Sequence, residues 1–429
     1  MARKMKDSGI EWIGEIPEGW RTINPKALFT QRKDKAQKGE RQLTSSQQYG
    51  ILYQDDYMEL TGSKVVTVEK DFDILKHVEA GDFVISMRSF QGGLEYSTKS
   101  GAISSAYVML VPNLELVYPR FYRWLLKSSV YIDALQRTTN MVRDGQAMRY
   151  SNFAQVRLFT LPLDEQKSRA DFLDLECSSI DKILFKTRSS IEEYKKLKQA
   201  VITQAVTKGV RGEREMKDSG VEWIGEIPTT YSICKLKYLL KNPLKYGANE
   251  SGIPYSDSLP RYIRITDITP DGSLKYTGKL SLSEESAKDY ILEDGDILFA
   301  RSGATVGKTF IYYQSYGRSA YAGYLIKASL NNKVSPKFVY YYTCSSLYEI
   351  WKNSIFIQST IQNIGADRYA NLPVPVPKTL QEQEEIADYL DAKCAEIDKL
   401  IAKKEQLVKE LESYKKSLIY EVVTGKREV

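Results

Sequence analysis

Residues 301–309, Arg-Ser-Gly-Ala-Thr-Val-Gly-Lys-Thr, are the stretch whose residue types most invite chemistry. A phosphate loop of the form GxxxxGK[ST] needs four residues between its glycines, and Gly303 and Gly307 enclose three, which argues against a nucleotide-hydrolysing site. What the stretch does offer is Arg301, Ser302, Thr305 and Lys308 on a flexible glycine frame that follows a strand-like apolar run. Such donors suit the phosphates and base edges of a nucleic acid. The plain alternative is a solvated surface loop. The corresponding stretch in the first half of the chain carries Arg88, Ser89 and Gln91. A second polar cluster comes late in each half: Arg143, Gln146 and Arg149 in residues 140–153, and Gln358, Gln362, Asn363 and Arg368 in residues 356–369. Guanidinium groups pair bidentately with guanine and carboxamides with adenine. Turn chemistry explains the glycines and aspartates there but not the density of amide and guanidinium groups. Arg143, Arg149 and Arg368 could equally be ion-paired with Asp144 or Asp367.

No catalytic set stands beside these clusters. The nearest approach to an adenine-methyltransferase Asn-Pro-Pro-aromatic tetrapeptide is Asn242-Pro243-Leu244, and there is no GxGxxG cofactor loop or nuclease-type carboxylate cluster. The four cysteines (Cys177, Cys234, Cys344, Cys394) lack CxxC spacing and His77 is the only histidine, so a metal site has too few ligands. Cys177 and Cys394 read as small, mostly buried side chains rather than redox groups, and His77, at the end of a charged run, reads as a surface residue. A net charge of +6 permits an anionic partner without requiring one. No apolar run approaches the roughly 20 residues that span a bilayer, and the first residues lack the apolar core of a signal peptide, so no membrane association and a cytoplasmic location are expected. A binder rather than an enzyme is expected.

The elements that must position these residues come in duplicate. Residues 5–17, MKDSGIEWIGEIP, recur at 216–228 with a single change, Ile10 to Val221. Residues 165–182 and 382–399 agree at ten of eighteen positions. The chain is therefore two copies of one plan: a short leading segment, a globular block and a long charged helix. The leading segments, with Trp12, Ile13 and Ile16 in the first, serve either as a strap onto a larger body or as a docking surface. Within the blocks, residues 64–68, 81–87 and 106–111, and then 261–268, 295–301 and 322–328, predict strands. Residues 119–137 and 336–352 predict helices with proline in the first turn. The blocks share an order of elements, but the loops after their GDFVIS and GDILFA runs do not match.

Each block exits through prolines into a helix of about 43 residues, roughly 65 Å at 1.5 Å per residue. Asp164 is the expected cap of the first, and Thr379 with Glu382 forms the expected capping box of the second. Ile180, Leu184, Thr187, Ile191, Tyr194, Val201 and Ala205 form an apolar or small stripe at alternating spacings of four and three; Ile397, Ile401, Lys404, Val408, Leu411, Lys415, Leu418 and Val422 follow in the same phase. Such stripes ask for a partner helix, and an antiparallel pair made of the chain's own two rods, with a domain at each end, is the economical arrangement. The fold class is α+β: two mixed α/β domains separated by two long helices in an antiparallel coiled coil, with an internal pseudo-two-fold repeat. The boundaries are 1–162, 163–212, 213–378 and 379–429.

This order of motifs resembles the specificity subunit of Type I restriction-modification systems. The resemblance is carried by MKDSGIEWIGEIPEGW, GDFVIS, GDILFARSG, LPLDEQ and LQEQEEIADYLDAKCAEIDKLI, and it covers nearly the whole chain. It implies that the blocks are target recognition domains, each reading one half of an asymmetric split site in double-stranded DNA. It also implies that the helices space the domains and dock two methyltransferase subunits, with restriction subunits joining the complex. S-adenosylmethionine and ATP would belong to those partners, and this chain would hold no cofactor. The resemblance does not transfer base contacts, so the residues named above are expected from their chemistry alone. A coiled-coil scaffold without DNA specificity, which would lack salt-dependent DNA affinity, and a nucleotide-hydrolysing enzyme, which would turn over alone, are the rival readings.

Overall fold

A computed structural model describes residues 3–68, 72–87, 89–138, 148–269, 272–357 and 363–429, apart from the side chains of Phe90, Ala304 and Ile357. Two compact units emerge: residues 1–188 with 406–429, and residues 189–405. Each is built on a four-stranded antiparallel sheet. In the first unit the strands are β1 (Phe29–Arg32), β2 (Phe83–Ile85), β3 (Glu95–Tyr96) and β4 (Val108–Pro112), in the spatial order β1-β4-β2-β3. In the second they are β5 (Lys245–Tyr246), β6 (Ile297–Ala300), β7 (Thr309–Ile311) and β8 (Leu325–Ala328), in the order β5-β8-β6-β7. The topology is the same in both. Beside this frame the units diverge. The first adds a hairpin of Leu43–Ser46 with Gly50–Tyr53, whereas the second adds a mixed sheet in which Arg261–Ile263 runs parallel to Ser319–Tyr321.

The leading segments fold as hairpins, Met5–Ile10 with Gly14–Pro17 and Met216–Asp218 with Glu226–Pro228. They are straps. Ile10, Ile13 and Ile16 lie in the core of the first unit, where Trp12 meets Tyr131 edge-on at 5.8 Å. Ile224 and Ile227 do the same in the second unit.

The long helices are α1 (Leu163–Lys208) and α2 (Leu380–Val423). In the first unit Ile180 and Leu184 of α1 share a core with Leu418 and Val422 of α2, with Val408 and Leu411 packed against it. Lys415 binds Asp181 at 2.6 Å and Arg188 pairs with Glu412, so the two segments run in opposite directions. In the second unit Lys198 binds Asp398 at 2.6 Å and Lys404 sits 5.6 Å over the Tyr194 ring, in the same opposed sense. Ile191 and Ile397 are buried, and Tyr194, Val201 and Ile401 half-buried. Cys177 and Cys394 lie inside these contacts, where burial pushes both thiols up to about 11 and leaves them protonated near neutral pH.

The first turn of each long helix is a polar clasp. Glu165 accepts from Arg3, from Trp20 Nε1 at 3.1 Å and from Arg169 Nη2 at 2.7 Å. Arg169, almost fully buried, also donates to the Val422 and Arg427 carbonyls. Glu382 repeats the pattern, accepting from Arg214 and from the Tyr231 hydroxyl at 3.1 Å. The next residues, Gln166 and Gln383, are buried amides that each satisfy one backbone N–H and two carbonyls: Tyr118 with Leu116 and Leu161, and Ser335 with Lys333 and Pro377. Removing such an amide would strand buried polar groups at about 1–3 kcal/mol.

Several sequence expectations are corrected. Thr379 accepts from the Glu382 N–H at 3.4 Å, but the Glu382 carboxylate faces Arg214 and Tyr231, so only half of the capping box forms. Asp164 lies inside the first turn of α1, which starts at Leu163. Residues 119–137 form two helices, Pro119–Leu125 and Ser129–Arg137, because the Ser128 side chain caps the second. Residues 64–68 are not a strand: the Gln42 side chain takes up both backbone groups of Val68, at 2.7 and 2.9 Å, leaving Val66 exposed. His77 is not a free surface side chain but sits between Glu40 and Glu79, at 3.0 and 2.9 Å. Burial opposes its charging, yet these two hydrogen bonds outweigh burial and raise its pKa.

Burial alone would raise the Glu165 carboxyl, but hydrogen bonds from Arg3, Arg169 and Trp20 hold it down at about 2, against an ordinary 4.5. Its stabilising contribution is therefore complete above pH 4.5 and is lost as pH falls toward 2. The melting temperature of the wild type should fall more steeply across that window than that of Glu165→Gln, measured by circular dichroism at fixed ionic strength.

Candidate nucleic-acid interface

The residues around 301–309 fold as a strand, a turn and a strand. The Ala300 N–H donates to the Lys308 carbonyl at 2.8 Å and the Gly307 N–H to the Ala300 carbonyl at 2.9 Å, which closes the turn between β6 and β7. A hairpin of this kind lacks the helix N-terminus on which a phosphate loop relies. Gly303 and Gly307 take φ of 78° and 81°, a region that a side chain disfavours. The Tyr348 hydroxyl, donating to the Gly307 carbonyl at 2.7 Å, and the Tyr369 hydroxyl, donating to the Ala300 carbonyl at 2.9 Å, fasten the turn from below.

Two of the clusters picked out by residue type meet here. Ser302 bridges Asn363, and the Arg301 carbonyl accepts from the Ile364 N–H at 2.9 Å. The Arg301 guanidinium lies 4.9 Å over the ring of Tyr246, whose hydroxyl accepts from the Ala366 N–H at 3.0 Å. Arg301 is half-buried, and its Nε is enclosed without a protein partner. The stack fixes the plane of a charged group whose donors are not used up by the protein. Thr305 and Lys308 are half-buried on the same turn, while Asn363 and Arg368 are exposed.

In the first unit Ser89 is buried, its hydroxyl accepting from the Ser86 N–H at 2.8 Å, so it shapes the turn and presents no donor to solvent. Gln91 is exposed, as is Arg149, which precedes the helix Tyr150–Gln155. Arg368 forms no ion pair with Asp367, whereas Asp144, the acid named for Arg149, lies outside the described residues. Arg88, Arg143, Gln146, Gln358 and Gln362 lie outside the described residues.

Reasoning by motif missed the tyrosines. Tyr246 orders Arg301, and Tyr324, whose carbonyl accepts from the Arg301 N–H at 3.0 Å, is 63% exposed. The signal was compositional: 30 tyrosines against 13 phenylalanines, an excess of rings that carry a polar handle. No group of acidic, histidine or cysteine side chains among the described residues could hold a metal ion.

A family model described as the Type I restriction modification DNA specificity domain matches residues 246–410, which include the hairpin and Asn363. The chain is 24% identical to the MjaVIII specificity subunit of Methanocaldococcus jannaschii over 81% of its length and 80% of the relative's. It is 23% identical to the EcoKI specificity subunit of Escherichia coli K12, over 87% and 82%. The chain is thus similar to Type I restriction enzyme specificity subunits over most of its length. The specificity-subunit fold extends along the whole chain. A chain from a structure on complex assembly and conformational transition of the type I R-M system superposes at a TM-score of 0.71, with 14% identity and coverage of 96% and 99%. The HsdS subunit of Thermoanaerobacter tengcongensis gives 0.51, with 14% identity and coverage of 96% and 98%.

A Cβ at Gly307 would fall 2.2 Å from Lys352 Cδ, whereas one at Gly303 meets nothing within 4 Å. Both carry the backbone cost of a left-handed residue, about 1–2 kcal/mol. Gly307→Ala should therefore destabilise more than Gly303→Ala in urea unfolding, and an equal loss would show that Lys352 yields freely.

Proposed function

We propose that this chain is the non-catalytic, sequence-reading subunit of a Type I restriction-modification complex, binding an asymmetric bipartite site in double-stranded DNA. The observation that carries the reading is the bridge from the Arg301 turn to Asn363, where a tyrosine-stacked guanidinium with open donors stands beside an exposed carboxamide. Guanidinium and carboxamide are the groups that distinguish guanine and adenine in the major groove. Arg149, Gln91, Arg368 and Lys308 are assigned to the same surfaces, with lysine suited to phosphates.

In this reading residues 1–162 and 213–378 are the target recognition domains and 163–212 and 379–429 the spacers. The paired helices act as an antiparallel coiled coil with approximate two-fold symmetry, setting the distance between half-sites. Two methyltransferase subunits and restriction subunits are the expected partners; they would bring S-adenosylmethionine and ATP and flip the target adenine out of the duplex. The complex would work in the cytoplasm. No helix among the described residues is long and apolar enough to cross a membrane.

Mapping methylated adenines after co-expression with the adjacent methyltransferase should reveal a split motif with two unequal halves; methylation that persists unchanged without this chain would overturn the reading. On the mapped target, Arg301→Ala should weaken binding roughly 10- to 100-fold and relax one guanine position. An equal loss on a scrambled duplex would leave Arg301 a phosphate clamp.

A further inference from the structure

Beside the turn after β2 the first unit holds a cleft of about 400 Å³. The cleft is assembled from four distant pieces of chain. The hairpin of Leu43–Ser46 and Gly50–Tyr53 supplies Ser45, Ser46, Gln47 and Gln48; the helix Gln54–Thr61 supplies Tyr57; the turn after β2 supplies Met87; and Tyr107 closes it ahead of β4. None of the described lining residues is charged. Base edges are read by amides, hydroxyls and apolar groups as well as by guanidinium groups. The described lining of amides, hydroxyls and one thioether therefore suits a base pair.

The local packing divides the work between the two glutamines. A Cβ at Gly92 would lie 2.8 Å from the Gln47 side chain, so Gln47 is seated on the backbone of the neighbouring turn. Both glutamines are exposed, Gln48 at the rim. Met87 is 45% exposed although it follows three buried strand residues, which leaves its thioether facing out beside the cleft. The Tyr49 and Tyr57 rings meet edge-on at 6.4 Å and stiffen the hairpin tip that carries Gln48.

We propose that this cleft reads one A·T pair of the first half-site, the Gln48 carboxamide taking the adenine edge and Met87 lying against the thymine methyl. The assignment rests on the DNA-reading function proposed above and adds an amide and a thioether to the reading groups of the first unit. Neither Gln48 nor Met87 belongs to the clusters recognised by residue type.

The test uses the full chain in complex with its methyltransferase and duplexes in which each pair of the mapped target is replaced in turn. Gln48→Ala should weaken target binding roughly 10- to 100-fold, abolish preference at one A·T pair in one half only, and leave affinity for a scrambled duplex and its salt dependence unchanged. Replacing the paired thymine by deoxyuridine should weaken binding by the wild type but not by Met87→Ala. Should Gln48→Ala fail to fold, Gln48→Asn, one methylene shorter, should show the same single-position loss. Retained preference at every position, or equal loss on target and scrambled duplexes, overturns the cleft assignment while a discriminating wild type keeps the parent reading intact. A wild type that does not discriminate at all overturns both.

Discussion

A carboxylate in the first turn of each long helix is the constraint on which both units depend. Glu165 and Glu382 each gather a guanidinium from a leading segment and a donor from an aromatic ring, Trp20 Nε1 in one case and the Tyr231 hydroxyl in the other. A carboxylate at a helix N-terminus is favoured by the helix dipole, so the same charge serves the helix and the strap. Because partly buried charges are costly to separate, losing either partner would expose the other to an unpaired interior. The amides of Gln166 and Gln383 then stitch the helix start to the preceding loops, fixing where each helix leaves its unit. Asp174 and Asp391 extend the clasp about two turns further on, the first to Arg120 and Trp124, the second to Lys337 and Tyr341. The donors differ in kind but not in place, which is how a duplicated scaffold drifts while its geometry is kept.

What is kept and what is free follow from burial. The two four-stranded sheets have one topology because their central strands are buried and a register slip would turn an apolar face to water. Asp82 and Asp296, next to the glycine at the start of β2 and β6, accept from the backbone of Glu79 and Glu293 and so hold the same tight turn in both units. Beyond the strand ends this constraint lapses. One unit inserts a hairpin and the other a mixed sheet, and the surfaces that follow are chemically unlike.

The sequence made legible whatever is periodic or repeated. The duplicated leading segments, the long helices with their stripes and the duplicated glycine-aspartate strand starts could all be read from spacing. Features decided by single side chains were not legible. Residues 64–68 have strand composition, but one amide, Gln42, replaces the partner strand. Residues 119–137 have the periodicity of one helix, but Ser128 offers a cap in the middle and two helices result. At the candidate site, residue type located Arg301, Ser302 and Asn363 without revealing that they meet, since that contact is made across some sixty residues of chain. Ser89 shares the chemistry of its neighbours and is nevertheless buried, because a serine hydroxyl completes a turn as readily as it faces solvent.

In the proposed reading, the stack of Arg301 on Tyr246 bears on specificity as well as on affinity. A free arginine has several rotatable bonds and loses their freedom when it binds, a cost of about 0.5–1.5 kcal/mol for an immobilised side chain. Here the ring, itself held by the Ala366 N–H, has already restricted the guanidinium. The ordering cost is therefore met in folding, and a correctly placed pair of acceptors gains more of the hydrogen-bond energy. A flexible arginine can turn toward whatever anion is near, which favours phosphate and blurs base preference. A guanidinium held in one plane discriminates by geometry, since acceptors out of that plane gain little. Rigidity at this position separates reading a base from merely holding a backbone, and the tyrosine that supplies it lies some fifty residues away from the arginine in sequence.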